Sequence, residues 1–269
     1  MQSQRRPSGY GWGRNRWGGV RPLDALAGVG VLVGIGLLIW VLVGNRPPPA
    51  SATQAAGEAE AAPAEAAEAV LATVQTLVQQ DETDRARAVL AEAVKQFAGD
   101  QPLRLAYGDL LVSAGAPELA YEQFEAALAI GPRTPAIEFT AGALAHQMNN
   151  LERAHEHFAA AQASEPTHAE YAMRLGSVQV ALGETEAGKA SLLRAGVLDP
   201  GHAIAWGQLA EVALRENKAE IALGYVDKAR AVQPDAVAWR VIEARARKRM
   251  GDAQGAVDVL PTRPTSTST

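Results

Sequence analysis

Apolar residues recur along this chain with two superposed periods. Over short stretches the spacing is helical: Leu103, Tyr107, Leu110 and Leu111 share one face of a first helix, and Leu119, Phe124, Ala127 and Leu128 share one face of a second. Gly115 interrupts the first helix, and Pro117 suits the first turn of the next, where a missing N–H costs nothing. Pro132 keeps the second helix from running on. The longer period is 34 residues: Ala120, Phe124, Ala127 and Pro132 return as Ala154, Phe158, Ala161 and Pro166, then as Gly188, Leu192, Ala195 and Pro200, then as Ala222, Val226, Ala229 and Pro234. Gly108 returns in step as Gly142, Gly176 and Ala210. One helix pair cannot bury its apolar faces alone, so a period of this length predicts an all-α solenoid of stacked helix-turn-helix units.

The frame places units at 67–100, 101–134, 135–168, 169–202 and 203–236, with a partial unit at 237–260, giving a repeat domain over 67–260. Ahead of it the pattern changes twice. Ala25 to Gly44 is an uncharged apolar run of 20 residues, and at about 1.5 Å rise per residue it spans a hydrocarbon core of about 30 Å. The expectation is a single transmembrane helix over 23–44. Residues 45–66 are rich in proline and alanine and read as a spacer, whose later part could be helical and merge with the first unit. Residues 1–22 carry Arg5, Arg6, Arg14, Arg16 and Arg21 with no acid, in a glycine-rich setting that builds no core, and 261–269 has nothing to bury; both read as disordered tails.

Charge gives the membrane helix its direction. Arginines precede the apolar run and only Arg46 closely follows it, which predicts a cytoplasmic N-terminus and repeats on the far side of the membrane; the plan fits a bacterial inner-membrane protein whose repeats face the periplasm. A cleavable signal ending at Ala50, Ser51 and Ala52 is the competing reading, and it also leaves the repeats outside the cytoplasm. Gly30 and Gly34 make a GxxxG spacing that would suit helix pairing and a homo-oligomer. The repeats contain 18 Lys and Arg against 26 Asp and Glu, a net of −8 that argues against nucleic acid or anionic lipid as their partner. Arg240, Arg245, Arg247, Lys248 and Arg249 are a local exception, a solvated face or a patch for an acidic partner.

Chemistry-bearing patterns are few. Without cysteine there is no disulfide or thiolate. His155 and His157 are two apart, which on a helix points them away from each other, unlike the i, i+4 spacing of a zinc pair. No phosphate-binding loop or nucleophile elbow is present. The expectation is a protein that is not an enzyme, with no cofactor, metal or small-molecule substrate.

The repeat resembles the tetratricopeptide repeat (TPR), whose signature is a 34-residue helix-turn-helix with small residues at places 8, 20 and 27 and proline at place 32. Four full units from Gln101 to Ala236 carry it, with weaker units on either side. Arg104, Glu138 and Ala172 stand where place 4 usually holds a large residue, which implies looser first-helix packing. The resemblance implies a right-handed stack whose first helices line a concave groove for a partner protein. Place 5 would then face that groove with Leu71, Leu105, Phe139, Met173, Gly207 and Val241, and Asp109, His146, Ser177 and Glu211 would add polar groups. The lysine and asparagine with which chaperone-binding members clamp a terminal carboxylate are missing from those places. The expected function is a membrane-anchored scaffold for protein–protein interaction in an envelope assembly or secretion complex. A self-associating structural protein and a non-catalytic accessory subunit of a membrane enzyme are the alternatives.

Overall fold

The computed structural model describes residues 52–260, with side chains from residue 64 onward. The chain divides into two compact units, 1–57 and 58–269, and the repeats all lie in the second. The expected tails at 1–22 and 261–269, the membrane helix at 23–44 and the start of the 45–66 stretch lie outside the described residues. Among the described residues no helix is long and apolar enough to cross a membrane.

Among the described residues twelve helices follow one another: α1 (Ala52–Gln79), α2 (Thr83–Gln96), α3 (Gln101–Ser113), α4 (Pro117–Ile130), α5 (Pro135–Gln147), α6 (Leu151–Ser164), α7 (Ala169–Ala181), α8 (Thr185–Leu198), α9 (Ala203–Arg215), α10 (Ala219–Val232), α11 (Val237–Arg249) and α12 (Ala253–Asp258). The later part of the proline- and alanine-rich stretch is thus helix, continuous with the first helix of the first unit. Odd-numbered helices from α3 to α11 occupy places 1 to 13 of their units, and even-numbered ones from α2 to α10 places 17 to 30.

Local chemistry fixes these boundaries. Place 15 has a positive φ in all six units: Asp81 (62°), Gly115 (73°), Asn149 (58°), Gly183 (86°), Asn217 (61°) and Gly251 (85°). That left-handed residue lets the next N–H turn back to a carbonyl five residues earlier, Asn150 to Ala145 and Lys218 to Ala213, each at 2.8 Å, closing the first helix in a Schellman arrangement. Side chains start several helices: Asp100 accepts from the Leu103 N–H at 2.8 Å and Asn150 from that of Arg153 at 3.2 Å.

Within a pair, small residues at places 8 and 20 set the separation. A Cβ added to Gly142 would lie 2.8 Å from Phe158, and one added to Gly176 would lie 2.9 Å from the Gly188 carbonyl. Ala120, Ala154 and Ala222 are fully buried at place 20. The large side chain at place 24 fills the space beyond, with Leu90, Phe124, Phe158, Leu192 and Val226 all buried. The core is accordingly a chain of apolar clusters strung along the stack, each built by neighbouring helices.

Candidate protein-interaction surface

Successive first helices meet through place 5 of one unit and place 3 of the next. Phe139 lies 5.0 Å from Tyr171 between ring centroids and 5.6 Å from Phe158. Met173 is buried in the cluster that holds Ala205, and the face of Gly207 is covered so closely by Trp239 that an added Cβ would stand 2.1 Å from its ring. Leu71 and Leu105, half-buried, pack in the clusters of Leu103 and Ile137. The row expected to face a groove is therefore mostly a joint between units. Val241, in the last unit, is the member left exposed, at 41 %. Asp109 and His146 are exposed, on α3 and α5 respectively.

Ser177 and Glu211 are brought together. They border a cleft of about 190 Å³ between α7 and α9, with Val180, Ala181, Leu192 and Val212 forming apolar walls and Gln208 and Arg215 adding polar groups. The Ser177 hydroxyl reaches both the Met173 carbonyl, at 2.9 Å, and the Gln208 side-chain oxygen. Glu211 is engaged from the far side by Arg245 of α11. Gln208, Glu211, Val212 and Arg215 follow i, i+3, i+4, i+7 spacing along α9, so a helical-wheel reading of that helix would have added Gln208 and Arg215. α9 touches both α7 and α11, whereas successive second helices make no comparable contact among the described residues. The stack is thus tighter on its first-helix side in these units, and the cleft lies on that inner side.

Buried polar groups missed from sequence join the second and third units. Glu138, at place 4, is 2 % exposed and His157 is 4 % exposed, with Glu138 Oε2 and His157 Nδ1 2.8 Å apart. His157 Nε2 lies 3.2 Å from both the Tyr121 hydroxyl and Glu125 Oε1 of α4. The Arg133 guanidinium donates to the other Glu138 oxygen at 2.7 Å. A tyrosine, a histidine and a carboxylate in line superficially suggest a proton relay. Burial, followed by the Glu125 charge, raises the Tyr121 phenol above its usual pKa, the opposite of activation.

A second polar joint links α7 to the start of α9. Glu170 takes a hydrogen bond from Arg174 Nε at 2.7 Å, and its other oxygen lies 2.9 Å from His202 Nε2. The contact with Glu170 raises the His202 pKa against the opposing effect of burial. Burial pushes Glu170 upward, but the hydrogen bonds from His202 and Arg174 outweigh it and the net shift is downward. Arg230 of α10 and Arg247 of α11 both bind Glu243 of α11, at 2.6 and 2.8 Å. Most of the basic cluster in the last unit is neutralised in this way: Arg240 pairs with Asp235, Arg245 with Glu211 and Arg247 with Glu243. Lys248 and Arg249 have no ion-pair partner among the described residues. No group of three potential metal ligands gathers among the described residues.

Helix pairs of fixed length, a left-handed residue at each inner turn and small residues at each close approach define the class: an all-helical, TPR-like solenoid. Residues 77–141 match the family model described as tetratricopeptide repeat. Solved structures share the fold. YrrB, described as a TPR protein with an unusual peptide-binding site, is 20 % identical with a TM-score of 0.59, over 63 % of this chain and 88 % of its own. PilF of Pseudomonas aeruginosa is 18 % identical at 0.57, over 74 % and 90 %. PilW, a type IV pilus biogenesis factor, is 19 % identical at 0.58, over 72 % and 90 %. No curated protein sequence matches the chain significantly.

Proposed function

We propose that this chain is a non-enzymatic adaptor, anchored by its apolar segment at 23–44, that holds a partner protein against the inner side of its repeats in the extracytoplasmic space of a bacterium. A TPR-like solenoid is suited to protein–protein interaction, because stacking leaves long helix faces open to an extended or helical segment. The observation that carries the reading is the cleft between α7 and α9, which pairs apolar walls with hydrogen-bonding groups at Ser177, Gln208 and Arg215. The peptide-binding site ascribed to YrrB favours the same use of the fold, and the pilus role ascribed to PilW favours an envelope assembly or secretion complex. Tethering would confine the cleft to a thin layer beside the membrane and raise its effective concentration for partners already there.

Proximity labelling in native cells tests both halves of the proposal, with the labelling enzyme fused after Thr269. The expected result is one strongly enriched envelope complex, lost in an Arg215→Glu variant whose helical circular dichroism is unchanged. Labelling of cytoplasmic proteins would overturn the location, and enrichment indifferent to Arg215→Glu would overturn the cleft.

A further inference from the structure

Along the inner side of the stack, each first helix contributes places 9 and 13, one turn apart. From the second unit to the last these are Asp109 and Ser113, Ala143 and Gln147, Ser177 and Ala181, Glu211 and Arg215, Arg245 and Arg249. The charge therefore turns basic towards the last two units. Ala181 and Arg215 border the same cleft, so place 13 of one unit stands beside place 13 of the next. At the following joint the place 9 residues Glu211 and Arg245 are ion-paired, and the same register sets Arg249 beside Arg215 one turn further on. Both arginines are exposed, and neither has an ion-pair partner among the described residues. The carboxylates close to them in sequence are already matched: Glu211 with Arg245, Glu216 with Lys189 and Lys218, and Asp252 with Arg247. Two like charges side by side with no counter-charge are stabilised by an anion. Arg215 also stands on the rim of the apolar cleft, whose volume of about 190 Å³ falls below the about 300–1,000 Å³ of small-molecule sites. That size suits one side chain of a longer ligand.

We propose that the occupant of the cleft is an acidic protein segment: one apolar side chain enters between α7 and α9, and carboxylates on neighbouring residues lie against Arg215 and Arg249. The proposal rests on the cleft being the capture site and adds the chemical class of what it captures. Packed helices lie about 8–10 Å apart and an extended chain advances about 3.3 Å per residue, so the two carboxylates fall about three residues apart. The distribution of charge favours a short acidic segment over a long polyanion. Residues 67–236 carry 13 Lys and Arg against 23 Asp and Glu, a net of −10, which would repel nucleic acid wherever it ran beyond the two arginines. A segment with two or three carboxylates need touch only α9 and α11.

The test selects random peptides displayed on phage against the full-length protein in nanodiscs of zwitterionic lipid, after depletion on an Ala181→Trp variant whose cleft is filled. Ala181 is exposed at the end of α7, and an unchanged helical circular dichroism verifies that the variant folds. The surviving peptides should carry an apolar residue with Asp or Glu beside it, the acids about three residues apart. As synthetic peptides, their affinity should fall about tenfold for an Arg249→Glu variant and recover when one of their acids is exchanged for lysine. Arg249 lies outside the cleft lining, so its effect separates the two readings. Survivors that lack acids, or that are indifferent to Arg249→Glu, would overturn the acidic segment and leave the cleft standing. No survivors would overturn both. Retention of phosphatidylglycerol vesicles through Arg249, with acids absent from the peptides, would assign the cations to a lipid surface and overturn the proposal.

Discussion

At place 15 the backbone makes the same demand six times and the sequence meets it with three residue types. Glycine occupies three of the left-handed positions, while Asp81, Asn149 and Asn217 occupy the others with short polar side chains that tolerate this region. Asn217→Val should therefore destabilise the fold by about 1–2 kcal/mol, through a branched Cβ forced to positive φ; equilibrium urea unfolding measures it, and an unchanged midpoint would contradict the turn geometry. Place 20 makes a steric demand instead. Ala154 is fully buried against its own pair, and Ala154→Leu should cost about 1–3 kcal/mol by overpacking, read as a lowered melting temperature. Place 20 was legible in the sequence because it recurs at a fixed spacing with a single local cause, whereas at place 15 only Gly115 was singled out, because the residue type varies and the shared backbone conformation shows only in the fold. The cleft residues were only half legible: Ser177 and Glu211 were named from the resemblance, whereas Gln208 and Arg215 belong to a stripe along one helix that shows its role only once α7 is beside it.

Between elements, the structure departs from expectation where the partners are remote in sequence. Phe139 and Met173 were expected to face a groove, yet the place 3 side chain of the next unit packs over that row. A groove-directed charge such as Met173→Glu would accordingly unfold its joint rather than spare the fold. Periodicity identifies which face of a helix is apolar, but not whether the neighbouring helix leaves that face open. Glu138 shows the same limit for polar groups. A carboxylate at place 4 suggested loose packing, and its partners lie in α6 and in the loop at Arg133. Glu138→Leu would leave the buried His157 nitrogen without its acceptor, with an expected loss of about 1–3 kcal/mol in denaturant unfolding. The Glu170–His202 joint should make stability depend on pH. The raised His202 pKa contributes stabilisation that is complete below its ordinary value of 6.5 and is lost as pH rises through the higher folded value. The lowered Glu170 pKa contributes stabilisation that is complete above 4.5 and is lost as pH falls through the folded value. Both are present together between those values, so the melting temperature should fall on going from about pH 6 to about pH 8. His202→Gln should flatten that slope, and an equally steep slope in the variant would assign it to other groups.

At the scale of the whole stack, every substantial contact among the described residues joins helices one or two apart along the chain, so the stability of the repeats is approximately a sum over units and their joints. That organisation permits a deletion that an ordinary globular core would not survive. Excising residues 135–168 removes one whole period and places the end of the second unit against the start of the fourth. Leu105 would then meet Tyr171 at the same places where it now meets Ile137, one apolar contact replacing another. Arg133 would lose Glu138, but its side chain is 59 % exposed and can be solvated. Tyr121 and Glu125 would lose His157, and both already lie partly at the surface. The shortened protein should keep its helical ellipticity per residue and a single cooperative melt, at a lower temperature because one unit and one joint are gone. A broad, non-cooperative melt would mean that coupling extends beyond nearest neighbours, and the buried Glu138–His157 joint would then be the first place to look for it.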